Sequence, residues 1–341
     1  MMYVTAFLTA WGIAVIGCAA LVGVARYLPS RRVEARRPVS HPVRLGGVAM
    51  VAAFVIALLV HPNFVPDTRW VILLIALGGV VLVGLWDDYR VVTWRTQLAA
   101  HVWIAMLLFI GEIRITAVSH PFRDAMIVFS PDTVFSLTSF VLTILWVVGI
   151  MNVMNWLDGV DGLGGMVALV AGGTIFATAL LPHVHQPPVA IAAAALMGAT
   201  GGFLVWNWAP SRIIAGTTGA FFWGVVVASL AIIAGAKIAT TLLVMIVPLV
   251  DAVWVIFSRL RAGVSPFAPD RRHLHYRLAD RGWSSRHIAL LYAGLIGAVA
   301  FGSVHATVTV KATVVVTVAI IMIGLLLWVE HTQPTVKSSS R

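Results

Sequence analysis

The chain has 341 residues, of which 60% are hydrophobic and 11% are charged, and its mean hydropathy is +0.97. This composition excludes an ordinary soluble globular protein and is typical of a polytopic membrane protein. The net charge of +10 comes from basic residues that flank apolar runs, so membrane topology explains it better than nucleic-acid binding does.

Eleven apolar runs are long enough to cross a bilayer of about 30 Å as helices. The runs cover residues 3–25, 46–61, 69–86, 96–110, 137–155, 165–182, 188–207, 217–235, 237–257, 287–305 and 312–330. The first run lacks a basic leader and a convincing cleavage site, so it is predicted to be a retained helix and not a signal peptide. We expect an all-α integral membrane protein with a single polytopic domain over residues 1–330. The tail, 331–341, is predicted to be a disordered cytoplasmic segment.

The distribution of lysine and arginine predicts the orientation of the chain. With the N-terminus outside, 18 of the 23 basic residues lie in cytoplasmic segments, and the five exceptions are Arg69, Arg114, Arg123, Lys237 and Lys311. The positive-inside rule therefore predicts an exterior N-terminus and a cytoplasmic C-terminus. Between the fourth and fifth spans, residues 111–136 alternate partly in hydropathy, which predicts a small exterior hairpin.

Polar residues spaced three apart end the fifth span in the stretch NVMNWLDGVDGLGG. They are Asn152, Asn155, Asp158 and Asp161. Residues at this spacing share one face of a helix. Polar groups at the end of an apolar helix are costly unless they meet partners, water or an ion. The pattern therefore favours a functional cluster over a plain helix end.

Two adjacent acids, Asp87 and Asp88, close the third span in GLWDDYR. Neighbouring carboxylates repel each other, and a cation or a shared proton relieves the repulsion. Mg²⁺ prefers oxygen ligands and often binds through one or two carboxylates completed by substrate phosphates. An acidic pair that faces Asp158 and Asp161 would suit a Mg²⁺–diphosphate ligand, although solvated acids at a helix end remain the simpler alternative.

The cytoplasmic loop 258–286 contains seven arginines and two histidines. Arginine makes bidentate contacts with phosphate, so the loop is predicted to bind an anion. A metal site at His273 and His275 is the weaker alternative. Asp251 is expected to pair with Arg259, to face a cavity or to have a plain structural role. In the first loop, Arg44 is a candidate for binding an anionic head group or nucleotide.

Four segments, taken together and in this order, resemble the polyprenyl-phosphate N-acetylhexosamine-1-phosphate transferase family. The family's acidic pair resembles LWDDYR, and its Asn/Asp-Gly motif resembles NVMNWLDGVDGLGG. Its Phe-Leu-x-x-Asn-x-x-Pro segment resembles GGFLVWNWAPSRIIAGTTGA, which contains Asn207. Its histidine loop, in the branch that uses simple UDP-N-acetylhexosamines, resembles SPFAPDRRHLHYRL.

The resemblance implies a multi-pass enzyme of the cell's inner (plasma) membrane with eleven spans, a cytoplasmic active site and Mg²⁺, which Mn²⁺ can replace. It implies transfer of an N-acetylhexosamine-1-phosphate, such as N-acetylglucosamine-1-phosphate, from a UDP-sugar to undecaprenyl or decaprenyl phosphate. UMP is released, and the reaction begins cell-wall or surface-polysaccharide synthesis. The expected partners are the two substrates and the lipid bilayer, without nucleic acid. Whether the chain forms a homodimer is left open.

The resemblance also implies roles for individual residues. Catalysis is expected from Asp87, Asp88 and His273, and metal binding from Asp88 and Asp158. The substrate-binding residues are expected among the amides, the fourth acid and the basic groups, namely Asn152, Asn155, Asp161, Asn207, Arg272, His275 and Arg44.

The chain departs from the family at Thr217, where the family has an aspartate that binds Mg²⁺. Tyr276 likewise stands where a further histidine is common. Thr217 motivates an alternative function, a catalytically weak relative that binds polyprenyl phosphate or a nucleotide sugar. A transporter is a third hypothesis, but the outer halves of the spans contain almost no ionisable groups to line a path across the membrane.

Overall fold

The structure is a computed structural model that describes residues 1–25, 43–90, 92–120, 125–129, 136–235, 238–266, 270–304 and 306–331. Most of the basic first loop and the tail 332–341 lie outside the described residues. The disordered tail therefore stays a prediction.

Thirteen helices and two short strands make up the described part of the chain. The helices are α1 (Met2–Ala25), α2 (Gly46–Leu59), α3 (Thr68–Arg90), α4 (Trp94–Ile110), α5 (Leu137–Leu157), α6 (Leu163–Ala179), α7 (Pro187–Asn207), α8 (Gly216–Ile233), α9 (Ile238–Val244), α10 (Ile246–Arg261), α11 (Leu274–Asp280), α12 (Ser285–Ser303) and α13 (Val308–His331). Every predicted apolar run coincides with one of these helices or, for the ninth run, with two.

Seven of the described helices are long and apolar enough to cross a membrane, and α9 with α10 forms an eighth candidate span. Three further apolar helices, α2, α4 and α6, have 14 to 17 residues. These helices confirm the prediction of an all-helical, multi-pass membrane protein.

The ninth predicted run is broken into α9 and α10, which meet at an angle of 71°. Pro248 explains the position of the break. Proline lacks a backbone N–H, and its ring clashes with the carbonyl four residues earlier. That carbonyl belongs to Val244, where α9 ends, whereas Pro248 itself is tolerated in the first turn of α10. The apolar run alone predicts the span but not the bend.

Helix α8 lies at the centre of the bundle, and all of its residues are buried. Helices α2, α3 and α5 pack against it. Two glycines permit the close approach, because a Cβ on Gly47 would clash with the backbone of Gly219 and one on Gly84 would clash with Thr218. Small residues at such crossings let helix backbones approach closely in membranes. The ends of α3 and α8 are thereby held together.

The predicted hairpin is present as strands β1 (Ala117–Ser119) and β2 (Met126–Val128), which pair antiparallel with Ala117 opposite Val128. Helix α5 anchors the segment that leads into β1. The hydroxyl of Ser139 donates to the carbonyl of Ile115 at 2.6 Å, and the Ile115 N–H donates to Thr143 at 2.9 Å. The hairpin is thus fixed to the bundle through α5.

Candidate functional site

The acidic pair at the end of α3 is held by residues far away in the sequence. Arg44 Nε donates to Asp88 at 3.0 Å, and the backbone N–H of Thr217 lies 3.1 Å from each oxygen of the same carboxylate. The Thr217 hydroxyl donates to Asp87 at 2.6 Å, and the Val92 N–H donates to that residue at 2.9 Å. We call Arg44, Asp87, Asp88 and Thr217 the acid centre.

Backbone pairing brings the outlying members of the acid centre into place. Val43 forms a parallel bridge with Ile213, and the Gly47 N–H donates to the carbonyl of Ala215 at 2.9 Å. Gly216 has φ of +67°, a region that favours glycine. A Cβ at this position would lie 2.6 Å from an oxygen of Asp88. Glycine is therefore needed there for both its conformation and its lack of a side chain.

Two more carboxylates lie beside the acid centre. Asp158 follows the last residue of α5 and is half-buried, and Asp161 accepts from the Ser211 N–H at 3.1 Å. Loss of solvation raises the pKa of Asp158 to about 8; the charges of Asp88 and Asp161 add to the rise, and Arg44 opposes it. The structure therefore brings together the acids that the sequence places 70 residues apart.

The histidine loop is organised by Asp251 of α10, which is 2% exposed. One oxygen of its carboxylate lies 2.8 Å from His273 Nδ1, and the other accepts from the Leu274 N–H at 2.8 Å. A carboxylate on Nδ1 fixes the orientation of the ring, which leaves Nε2 as the nitrogen available to a ligand. The predicted alternative in which Asp251 pairs with Arg259 is therefore wrong.

Arg259 instead pairs with Asp270 through two hydrogen bonds of 2.9 and 3.0 Å. Arg272 also turns towards this pair, with Nε 3.4 Å from Asp270, and its Nη1 donates to the carbonyl oxygen of Ser258 at 2.9 Å. Partial burial favours a higher pKa for Asp270, but hydrogen bonds from Arg259 and from the Arg272 backbone hold that pKa below its usual value. Arg272, a predicted substrate ligand, is thus bound to α10.

The end of α5 joins the histidine loop to the acids. The ring of Trp156 lies 5.8 Å from that of His273. Gly159 lies directly against Tyr276 and His275, where a Cβ would clash with the tyrosine. Because Asp158 lies between these two contacts, the acids and the histidine loop meet at one site.

His275 is a predicted substrate ligand, and the structure encloses it completely. Its ring stacks on His273 at 5.5 Å and lies 4.2 Å from the ring of Tyr276. Burial lowers the pKa of His275 to about 3, so the ring is neutral at physiological pH. Asp251 opposes the shift, whereas His273 and Arg271 add to it. In this arrangement His275 supports the loop from within.

The predicted amide ligands occupy different positions. Asn207 is buried and bridges two segments, because it accepts from the Gly162 N–H at 2.9 Å and donates to the Ile213 carbonyl at 2.8 Å. Asn152 contacts His101 of α4 at 3.1 Å and donates to the Val148 carbonyl at 2.8 Å. Asn155 is half-buried one turn before Asp158. Only Asn155 therefore keeps an amide that is not engaged by another described residue.

A cleft of about 780 Å³ opens beside Asp161. Trp208 and Trp283 contribute aromatic side chains to its wall, and Arg286 contributes a guanidinium group. Arg286 also donates to the carbonyl of Ala209 at 2.7 Å, which ties the start of α12 to the turn after α7. The cleft has the volume and the chemistry of a nucleoside site.

A divalent cation fits this site only if the protein and the substrate phosphates bind it together. Within the described ranges, no group of three or more His, Cys, Asp or Glu side chains could hold a metal ion. Mg²⁺ often binds through only one or two carboxylates, completed by water and substrate phosphates. Asp158 accepts no hydrogen bond from any other described residue, and the charges of Asp88 and Asp161 act on it. Its free oxygens fit such a shared cation.

Several contacts of the site were not predicted from the sequence. Thr217 was expected only to weaken metal binding, whereas it contacts both acids of α3. Asp270 and Ser258, which hold Arg259 and Arg272, were not predicted to belong to the site. The only available signal for Asp270 was an acid within a basic loop, which favours an ion pair.

Comparison with known proteins finds a family model that matches part of the chain. Residues 70–235 match the model of glycosyl transferase family 4. The matched region includes α3 with its acids, the whole Asn/Asp-Gly motif and Thr217. This part of the chain is similar to that family.

Curated relatives include proteins from mycobacteria and from Bacillus. Decaprenyl-phosphate N-acetylglucosaminephosphotransferase of Mycobacterium leprae is 33% identical over 34% of the chain, which spans about a third (33%) of that relative. The protein of the same name from Mycolicibacterium smegmatis is 28% identical over 76% of the chain and 70% of its own length. A probable undecaprenyl-phosphate N-acetylglucosaminyl 1-phosphate transferase of Bacillus subtilis is 27% identical over 82% and 76%, respectively.

Proposed function

We propose that the protein is a phosphoglycosyltransferase that transfers N-acetylhexosamine-1-phosphate from a UDP-sugar to polyprenyl phosphate and releases UMP. N-acetylglucosamine is the first sugar to test, because the relatives are named for it. The observation that carries the proposal is the meeting of the acids of α3 and α5 with the histidine loop at one site. The product would begin a cell-wall or surface polysaccharide.

The reaction exchanges one phosphoanhydride partner of the sugar phosphate for another. An oxygen of the lipid phosphate attacks the β-phosphorus of the UDP-sugar and forms a new P–O bond. The bond from that phosphorus to the bridging oxygen breaks, and UMP leaves with the oxygen. Because a phosphate monoester is largely ionised at neutral pH, the nucleophile needs little activation. Positioning and charge neutralisation therefore provide most of the catalysis.

The side chains of the site have distinct roles in this reaction. Asp88 and Asp158 would hold Mg²⁺, and bound Mg²⁺ would neutralise charge on the diphosphate. His273, oriented by Asp251, would donate from Nε2 to a phosphate oxygen. Asp87, held by Thr217, would keep the lipid phosphate in line with the diphosphate. The cleft beside the acids would take the nucleoside.

The proposed topology has eleven crossings with the active site on the cytoplasmic face of the plasma membrane. The seven long helices, the bent α9–α10 pair and the three shorter apolar helices together support this number. The excess of arginine at the ends that carry the site supports the cytoplasmic side. Labelling of a cysteine introduced at His183, in the loop before α7, would test the orientation from outside intact cells.

Purified protein with UDP-N-acetylglucosamine, undecaprenyl or decaprenyl phosphate and Mg²⁺ tests the activity directly. We expect release of UMP and formation of a polyprenyl-diphospho-sugar, and we expect chelation of the metal to stop both. No UMP from any of a panel of UDP-sugars would exclude the transferase.

Thr217 supports a second candidate function, binding without turnover. Its hydroxyl is hydrogen-bonded to Asp87 and offers no carboxylate to a metal. For such a binder, calorimetry would detect UDP-sugar or polyprenyl phosphate binding while UMP release stays at background. Activity gained on Thr217→Asp would then indicate that the missing carboxylate limits the reaction.

A further inference from the structure

The turn between α5 and α6, which carries Asp158, is held at both ends. At the far end, the side chain of Asn207 accepts from the Gly162 N–H at 2.9 Å. At the near end, Gly159 lies against the ring of Tyr276, which belongs to the histidine loop. The backbone around Asp158 is therefore held by contacts from two different parts of the chain.

Glycine at position 159 is explained by side-chain contact and not by backbone conformation. A Cβ at Gly159 would clash with the ring of Tyr276, and it would lie 3.0 Å from Nε2 of His275, which a small shift would relieve. The φ of Gly159 lies outside the left-handed region, so its backbone conformation is open to alanine. The contact with Tyr276 is thus the main reason for a glycine directly after Asp158.

Tyr276 is itself positioned by its own loop. Its backbone N–H donates to the carbonyl of His273 at 3.0 Å, in the first turn of α11. The guanidinium carbon of Arg271 lies 4.7 Å from the centre of the tyrosine ring, and Arg271 pairs with Asp280 at 2.6 Å. A guanidinium over an aromatic ring is attracted to it. The ring therefore meets the turn from a position that the histidine loop determines.

The contact depends on the length of the tyrosine side chain. The tyrosine atoms that a Cβ at Gly159 would meet first are Oη and Cζ. A histidine, which is common at the position of Tyr276 in the family that the motifs resemble, ends closer to the backbone and has no atom at this distance. The contact with Gly159 is therefore a consequence of the tyrosine in this chain.

We propose that Tyr276 is a positioning residue, which holds Asp158 at a distance from His273 that allows one diphosphate and its cation to contact both. The inference rests on the proposed function, because it takes Asp158 as a ligand of the cation. Tyr276 links the two groups, since it touches the residue after Asp158 and donates its N–H to the carbonyl of His273. It acts through Asp158 and not by contact with the reacting atoms.

Electron paramagnetic resonance of the purified full chain, titrated with Mn²⁺, tests the proposal through the loss of the free-ion signal. We expect Tyr276→Ala to bind Mn²⁺ about tenfold more weakly, as is typical when an outer partner of a metal ligand is removed. Tyr276→Phe keeps Cζ against Gly159 and should retain most of the affinity, whereas Tyr276→His should resemble the alanine variant. Equal Mn²⁺ affinity in wild type and Tyr276→Ala overturns the proposal.

A tyrosine elsewhere in the bundle provides the matched control. Tyr3, near the start of α1, packs against Phe176 with 5.3 Å between the ring centres. Tyr3→Ala is expected to lower the thermal midpoint and to leave Mn²⁺ affinity unchanged. If Tyr3→Ala and Tyr276→Ala weakened Mn²⁺ binding equally, the effect at Tyr276 would be a general loss of structure, and the proposal would be overturned.

Gly159→Ala tests the same contact from the other side. It is expected to weaken Mn²⁺ binding about tenfold, because a Cβ against the tyrosine ring forces Asp158 to move. In the double variant with Tyr276→Ala, the Cβ occupies the vacated space, so the affinity should be no lower than in Tyr276→Ala alone. Losses that multiply in the double variant would show that the two residues act independently, which overturns the proposal.

The Mn²⁺ measurement separates this proposal from the proposed reaction. If Mn²⁺ binding depends on Tyr276 but the wild type releases no UMP, the positioning role stands and the transferase fails. If the wild type releases UMP but its Tyr276 variants bind Mn²⁺ normally, the positioning role alone fails. Wild-type protein that binds no Mn²⁺ also overturns the positioning role.

Discussion

The acid centre and the histidine loop are each organised by a buried carboxylate, although the first region is acidic and the second is basic. In each, a buried carboxylate accepts a backbone N–H and a basic side chain: Asp88 from Thr217 and Arg44, and Asp251 from Leu274 and His273. The difference lies in the neighbours. More carboxylates lie next to Asp88, whereas Asp251 lies beside the two histidines of the basic loop.

The two regions also differ in the sequence separation between the residues that form them. The contacts of Asp251 span 22 and 23 residues, whereas those of Asp88 span 44 and 129. The histidine loop can therefore fold locally on α10, but the acid centre requires the assembled bundle. Two regions of opposite charge that meet around Asp158 are suited to a ligand that carries both a cation and a diphosphate.

The comparison predicts the largest loss of activity at the acid centre. Asp88→Asn removes the charge that pairs with Arg44, and we expect UMP release to fall about 10³-fold, because one positioned charge partner contributes about that much. Asp67→Asn, at the other end of the same helix, is the control with wild-type activity. Activity of purified Asp88→Asn within tenfold of wild type would show that the acid centre is structural.

The histidine loop is expected to contribute less. His273→Ala removes the donor that Asp251 orients, and we expect a loss of about 10²-fold in kcat with normal expression. His183→Ala, in the loop before α7, is the matched control. If His273→Ala lost more activity than Asp88→Asn in the same assay, the histidine loop would contribute more to the rate than the acid centre does.

Packing between α3 and α8 supports the acid centre and the stability of the bundle. A Cβ at Gly84 would clash with Thr218, next to the contact that holds Asp87, so we expect Gly84→Ala to destabilise the protein by about 1–3 kcal/mol. Gly78→Ala on the same helix has open space at its Cβ and is expected to be neutral or slightly stabilising. Equal thermal midpoints for the two variants would contradict the close packing.

Thr217 allows a finer test of the acid centre. Thr217→Val keeps the N–H that donates to Asp88 but loses the hydroxyl that donates to Asp87, and we expect about a tenfold loss of activity. Thr217→Ser restores the hydroxyl and should recover most of the rate. A serine variant no better than valine would mean that the hydrogen bond to Asp87 does not matter.

The smallest effect is expected from the Arg259–Asp270 pair of the histidine loop. Because the pKa of Asp270 is lowered in the fold, its contribution is complete above its unfolded pKa of about 3.9 and is lost as the pH falls below that value. We expect Asp270→Asn to be less thermally stable than wild type at pH 7, by no more than a few degrees. The difference should shrink towards pH 3, and a constant difference would exclude the pair as its cause.

The sequence predicted those parts of the fold that depend on hydropathy alone. The apolar runs gave the positions of the helices, since about 20 apolar residues span a bilayer whatever their partners. The bend before Pro248 was missed because a proline near the start of a run is also compatible with one continuous span.

The sequence predicted which residues belong to the site better than it predicted how they are arranged. Acids at helix ends pointed to the cluster around Asp158, because polar groups in that position need partners. That Asn207 joins two segments, and that His275 is enclosed, depend on contacts between residues far apart in the sequence. Spacing within one helix cannot show such contacts.

The 129 residues between Asp88 and Thr217 have a consequence for synthesis of the protein. At about 5–20 residues per second, a ribosome needs roughly 6 to 26 s to go from one to the other. During that interval the carboxylate has entered the membrane region without its later partner. Arg44 has already been made by then, so the Arg44–Asp88 ion pair can form first and shield the acid until α8 arrives.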